Sequence, residues 1–147
     1  MKRKIFLICP VRAFLLPDGR PKADELLTPE ERAEKAAIEA YVANLEVGGA
    51  EVYFPARDTD QTDPHGWTIC CRNRSAIMDA NEIHVWYDAA STGSKFDLGM
   101  VFALLGIGWL KKVVIANPEA VKLTPRKSFE NVLLKLAEET AKLCQTA

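Results

Sequence analysis

Apolar runs alternate with stretches of helical spacing along the whole chain, and this alternation restricts the fold more than any other feature of the sequence. Lys4–Cys9 reads as a buried strand, followed by Ala50–Pro55, Glu82–Tyr87 and Val113–Asn117 as the second, third and fourth. Thr28-Pro29-Glu30-Glu31 predicts a helix start, because Thr28 can cap, Pro29 suits the first helical position and Glu31 completes a capping box. Ala33, Ala36, Ala37, Ala40, Tyr41 and Leu45 then form an apolar stripe, and Gly48-Gly49 ends the helix. Ile69–Ala80 predicts a short helix and Phe96–Leu105 begins another. Thr124-Pro125 repeats the cap-plus-proline device, opening a last helix that runs to about Leu143. Leu15–Thr28 and Arg57–Gly66 read as loops. Strands alternating with helices imply a parallel sheet with right-handed crossovers and helices on both faces.

At 147 residues, with no internal repeat or linker, the chain predicts one α/β domain spanning 1–147. A net charge of -1 provides no bulk attraction to a nucleic acid polymer or an anionic membrane, and leaves a small nucleotide open as ligand. No apolar run has the length of a membrane span. Met1-Lys2-Arg3-Lys4 before Ile5–Cys9 resembles a signal-peptide start, yet Pro10 and Arg12 cut the stretch short, and a first strand explains it better. The four cysteines form no CxxC pair, and two histidines supply no zinc-ligand spacing. The expectation is therefore no metal, no cofactor, and reduced thiols in the cytoplasm, with Cys9 packed in the core.

Parallel sheets bind ligands beyond the carboxyl ends of their strands. Among the loops at that end, Trp86-Tyr87-Asp88-Ala89-Ala90-Ser91-Thr92-Gly93-Ser94-Lys95-Phe96-Asp97-Leu98-Gly99 is the most informative. Its hydroxyls and backbone N–H groups flank Gly93 just before an apolar helix and could hold a phosphate. Spacing alone favours the simpler role, in which Ser91 or Ser94 caps the helix. Asp97 falls in about the first helical turn, where an acid favours the helix dipole. Gly99 costs about 1 kcal/mol relative to alanine inside a helix, which predicts a close approach by a backbone or a ligand.

Ser91-Thr92-Gly93-Ser94-Lys95-Phe96-Asp97-Leu98-Gly99-Met100-Val101-Phe102-Ala103 resembles the signature of the nucleoside 2-deoxyribosyltransferase superfamily. Ile5–Pro10, Ala50–Pro55, Asp79-Ala80-Asn81-Glu82-Ile83 and Lys111–Ala116 resemble the family's strands in order and spacing, up to about Asn117. The resemblance implies a flavodoxin-like (Rossmann-like) sheet of four to five parallel strands. It also implies attack on an N-glycosidic bond by a signature carboxylate, as in retaining glycosidases. Asp97 occupies the nucleophile's position, and Ser91 resembles the phosphate-binding serine of the hydrolase branch, which cleaves nucleoside 5′-monophosphates. Base-exchanging transferases carry an aspartate there.

Gly93 and Ser94 complete the phosphate loop, while Asp88 would orient ribose hydroxyls or the loop backbone. Arg12 would meet the phosphate, cover the base, or remain a solvated loop residue. The chain departs from the family at two positions. Asp97 is one methylene shorter than the usual glutamate, and Arg74 aligns with a supporting aspartate, where it would pair with Asp97 or contact phosphate. These departures keep a non-catalytic nucleotide-binding or sensing module open as the alternative. The resemblance also implies a homodimer or higher homo-oligomer. Asp58, Asp60 and Asp63 resemble a calcium loop but lack its glycine and terminal glutamate, so a solvated loop is expected. Trp67 would stack on a base or cover the core, His84 would be a satisfied core residue, and Trp109 with Leu110 would pack or meet a subunit.

Overall fold

A computed structural model describes residues 1–109 and 111–146; Leu110 lies outside the described residues. Four strands, β1 (Lys4–Ile8), β2 (Glu51–Tyr53), β3 (Glu82–Val85) and β4 (Lys112–Ile115), form one sheet in the order β2-β1-β3-β4. Every pair is parallel, with Phe6 opposite Tyr53 and Ile83, and His84 opposite Val114. The helices are α1 (Pro29–Val47), α2 (Pro55–Asp58), α3 (Trp67–Asp79), α4 (Thr92–Gly106) and α5 (Phe129–Thr146). The chain is a single α/β flavodoxin-like domain, with four strands. Its strand order reverses between β1 and β3, which opens a crevice at their carboxyl ends.

Alternate side chains of each strand supply two cores. Phe6, Ile8, Ile83, Val85 and Val113 meet Ile77 of α3, Leu98 and Val101 of α4, and Leu133 of α5. Ile5, Leu7 and Val52 point the other way, under Ile38 and Val42 of α1. Each fully buried aliphatic or aromatic side chain contributes about 1.5–3 kcal/mol, so both faces must be covered. Among the described residues, no helix is long and apolar enough to cross a membrane.

The start of α1 follows its sequence signals. Thr28 Oγ1 accepts the Glu31 N–H at 3.1 Å, and the Thr28 N–H donates to Glu31 Oε2 at 3.0 Å. Gly49, at φ +87°, takes the left-handed turn after the helix. The last helix departs from its expected start. Thr124-Pro125 forms a turn clasped by Asn131, whose Oδ1 accepts the Thr124 N–H (2.8 Å) and whose Nδ2 donates to the Thr124 carbonyl (3.0 Å). The cap is instead Ser128, whose Oγ accepts the Asn131 N–H at 3.1 Å, and α5 begins at Phe129. Pro55, expected to end a strand, opens α2 within the predicted loop.

Both edges of the sheet are closed by side chains. Along β2, Arg57 Nη2 donates to the Val52 carbonyl at 2.8 Å, and Asp58 Oδ2 accepts the Phe54 N–H at 2.8 Å. Along β4, the outward Val113 N–H donates to Thr140 Oγ1 of α5 at 3.0 Å, and that buried hydroxyl donates in turn to the Leu136 carbonyl at 2.9 Å. Lys111, also buried, donates to the Met78 and Ala80 carbonyls at the end of α3, where a cation suits the helix dipole.

Candidate functional site

α3 and α4 both begin at the carboxyl end of the sheet and pack against each other. Ser91 caps α4: its Oγ accepts the Ser94 N–H at 3.3 Å and lies 2.8 Å from Ser94 Oγ. The capping role is therefore real, and it starts the helix at Thr92 rather than near Phe96. Gly93 is exposed at this rim, whereas Ser94 is buried beneath it. Asp88 shapes the loop before the helix, its Oδ1 accepting the Ala90 N–H at 2.9 Å. Lys95 holds the same loop from the other side by donating to the Ala89 carbonyl at 2.8 Å.

The earlier start moves Asp97 into the second turn, beyond the reach of the dipole argument made for the first. Asp97 turns inward instead, with 8% of its surface exposed. Asn73 Nδ2 donates to its Oδ2 at 3.3 Å. Burial raises its pKa from 3.8 to about 6, opposed by the Asn73 hydrogen bond. Its charge is felt by Cys9, at the end of β1, and by Cys70, one turn before Asn73 on α3; both thiols are pushed up, chiefly by burial. Among the described residues Oδ1 of Asp97 has no hydrogen-bond partner, and no fully buried side-chain oxygen or nitrogen goes unpartnered. Oδ1 therefore keeps contact with solvent. The carboxylate is recessed without being sealed.

Behind Asp97 a buried polar chain continues. Thr59 Oγ1 donates to Asn73 Oδ1 at 3.2 Å, and the Tyr53 hydroxyl lies 2.7 Å from Thr59 Oγ1. None of these three residues was singled out from sequence. Asn73 had a faint signal as a polar residue sharing the inward face of α3 with Ile77, four positions on.

Arg74 does not pair with Asp97. It is exposed, because the residue after Asn73 points about 100° away around the helix, and Asn73 takes the place facing the carboxylate. Arg12 is exposed beyond β1, at the same end of the sheet as Asp97, and makes no side-chain hydrogen bond among the described residues. Gly99 also corrects an expectation. A Cβ there would meet nothing within 4 Å among the described residues, so of the two close approaches expected, that by a neighbouring backbone is absent. It borders a shallow apolar groove of about 180 Å³ between α4 and α5, with Phe102, Phe129 and Val132 on its walls. A larger cleft of about 440 Å³ lies between α1 and the Phe14 and Phe54 rings, closed at one end by the Arg57–Glu46 ion pair at 2.9 Å. Asp97 lines neither.

The acidic loop serves the backbone. Asp63 accepts the His65 and Thr68 N–H groups at 3.0 and 2.8 Å and fixes the start of α3, while Asp60 accepts from Thr62. Among the described residues no three potential metal ligands converge. Trp67 is 71% exposed at the start of α3 and does not cover the core. His84 is satisfied at both ring nitrogens, by Tyr41 and by Glu82. Comparison of the chain with protein-family models, with curated proteins and with solved structures found no match.

Proposed function

We propose that this protein binds a nucleoside 5′-monophosphate at the carboxyl ends of β1 and β3 and cleaves its N-glycosidic bond with Asp97 as nucleophile. The observation that carries this reading is the state of Asp97: a recessed carboxylate with one oxygen bonded to Asn73, the other not fully buried, and no cation beside it among the described residues. A buried acid of this kind costs stability, and such groups cluster at functional sites. With a pKa of about 6 it is largely ionised at pH 7, as a nucleophile must be. Oδ1 would bond to the anomeric carbon while the glycosidic electron pair leaves with the base; water would then release the sugar. Base exchange on a deoxynucleoside follows if a second base intercepts the same ester.

Ser91 and Gly93 stand at the rim of α4 and Ser94 just beneath it, all within two turns of Asp97, suited to a phosphate through the free N–H groups of the helix start. Arg12 would add a cation, and Asp88 would reach the ribose hydroxyls. Phe96 and Phe102 are exposed on α4, a helix apolar on nearly every side, which supports a second copy of the chain covering it. Four free thiols suit the reducing cytoplasm.

A second reading, binding without turnover, is favoured by Asn73. An amide cannot carry a proton as the family's aspartate can. Incubation of the purified protein with the common nucleotides, followed by chromatography for free base, separates the two. Base release lost in Asp97→Ala supports the glycosidase. Thermal stabilisation by a nucleotide without release supports the binding module. Neither effect with any nucleotide rejects both.

A further inference from the structure

We infer that Thr59 and Tyr53 are positioning residues that fix which end of the Asn73 amide faces Asp97. The two ends of an asparagine amide have nearly the same shape, so its orientation is decided by the hydrogens its neighbours can supply. Asn73 is buried between two partners, Asp97 on α4 and Thr59 just after α2. With NH2 toward Asp97 it stabilises the carboxylate. With its carbonyl toward Asp97, two acceptors would face each other in a site that burial has already made unfavourable for charge.

Counting hydrogens selects the first arrangement. Thr59 has one hydroxyl hydrogen and two oxygen neighbours, Asn73 Oδ1 at 3.2 Å and the Tyr53 hydroxyl at 2.7 Å. If Tyr53 donates to Thr59, Thr59 is free to donate to Asn73 Oδ1, and both Nδ2 hydrogens remain on the side of Asp97. The opposite order requires Tyr53 to spend its hydrogen on the Asp58 carbonyl, and that contact is 3.4 Å long, against 2.7 Å to Thr59. The short bond sets the direction, and it runs Tyr53 to Thr59 to Asn73 to Asp97. Tyr53 is itself fixed, its ring stacked on Phe6 of β1 with centroids 5.5 Å apart. The titratable and polar groups that feel or bond the Asp97 carboxylate are Cys9 just after β1 and Cys70 and Asn73 from α3. Asn73 is the one that favours the charged form. The orientation of its amide thus controls Asp97.

The consequence for catalysis rests on the glycosidase reading, whereas the orientation itself does not. The test is a ¹³C carboxyl titration of Asp97 in the full chain without nucleotide, so absence of turnover does not affect it. In Thr59→Val the Asn73 carbonyl loses its donor, and the midpoint is expected to rise by about 1 pH unit. Thr59→Ser, which keeps the hydroxyl, restores it. Tyr53→Phe, which keeps the ring stack, moves the midpoint the same way by less. A folded Thr59→Val with an unmoved midpoint, or a Thr59→Ser shifted as far as the valine variant, overturns the inference. Should Thr59→Val fail to fold, Tyr53→Phe decides, and an unmoved midpoint there overturns it equally.

Discussion

Two chains of hydrogen bonds run through the interior, one on each side of the sheet, and they end differently. Beneath α1, the Tyr41 hydroxyl donates to His84 Nδ1 at 2.6 Å, and His84 Nε2–H donates to Glu82 Oε2 at 3.2 Å. Arg3 then closes the Glu82 carboxylate with two bonds, at 2.7 and 2.9 Å. Beneath α3 and α4, Tyr53, Thr59 and Asn73 lead to Asp97, where no cation follows. The pKa values record the contrast. Glu82 is lowered to about 2, first by the Arg3 hydrogen bond, whereas Asp97 is raised to about 6 by burial. The first chain neutralises its own charge and holds β3 to α1. The second leaves its carboxylate without a cation among the described residues, and the proposed site rests on that difference.

The largest effect that would break this contrast is on turnover. Asp97→Ala should reduce base release on the order of a thousandfold or more, measured by chromatography against the wild type. Next, His84→Ala should lower stability by about 2–4 kcal/mol in urea unfolding, because it strands the Tyr41 hydroxyl and removes a bond from Glu82. The ¹³C titration of Asp97 should not move in that variant. Asp97→Asn should do the reverse and stabilise the protein at pH 8 by about 2–3 kcal/mol, since a rise from 3.8 to about 6 corresponds to about 3 kcal/mol.

That gain depends on pH in a definite way. Below about pH 3 the acid is protonated in both the folded and unfolded wild-type chain, and the variant gains nothing. Between about 4 and 6 the unfolded chain releases its proton first, so the wild type loses stability as pH rises. Unfolding curves of the two proteins should therefore converge at pH 3 and diverge at pH 8. Glu82 runs the other way, adding stability above 4.5 that is lost as pH falls toward 2. The smallest effect is expected at Arg74→Ala, within about 0.5 kcal/mol and with the Asp97 titration unmoved, since the side chain is exposed. A rise of the Asp97 midpoint in Arg74→Ala larger than that of Thr59→Val would restore the discarded Arg74–Asp97 pair.

Much of the fold was legible in the sequence because it is written in local signals. The capping box at Thr28 and Glu31, the Gly48-Gly49 stop and the four apolar runs act within a few residues of themselves. The start of α5 was misread for the same reason. Thr124-Pro125 carries the local device, yet Asn131, seven residues on, claims its backbone and leaves the cap to Ser128. The site was half legible. Asp97 was found from a motif, but its depth depended on Ser91 capping first, and its partner depended on which way α3 rolls against α4. Neighbouring residues Asn73 and Arg74 differ by about 100° of rotation, a distinction that packing decides.

The fastened edges of the sheet have a consequence for how this molecule can join with others. With Arg57 and Asp58 on one margin and Thr140 on the other, part of each outward row of backbone groups is already taken. An incoming strand would have to displace Arg57 or Asp58 at one border and Thr140 at the other. Loss of the carboxyl-terminal helix would unbutton the β4 margin and free the Val113 N–H for an incoming strand.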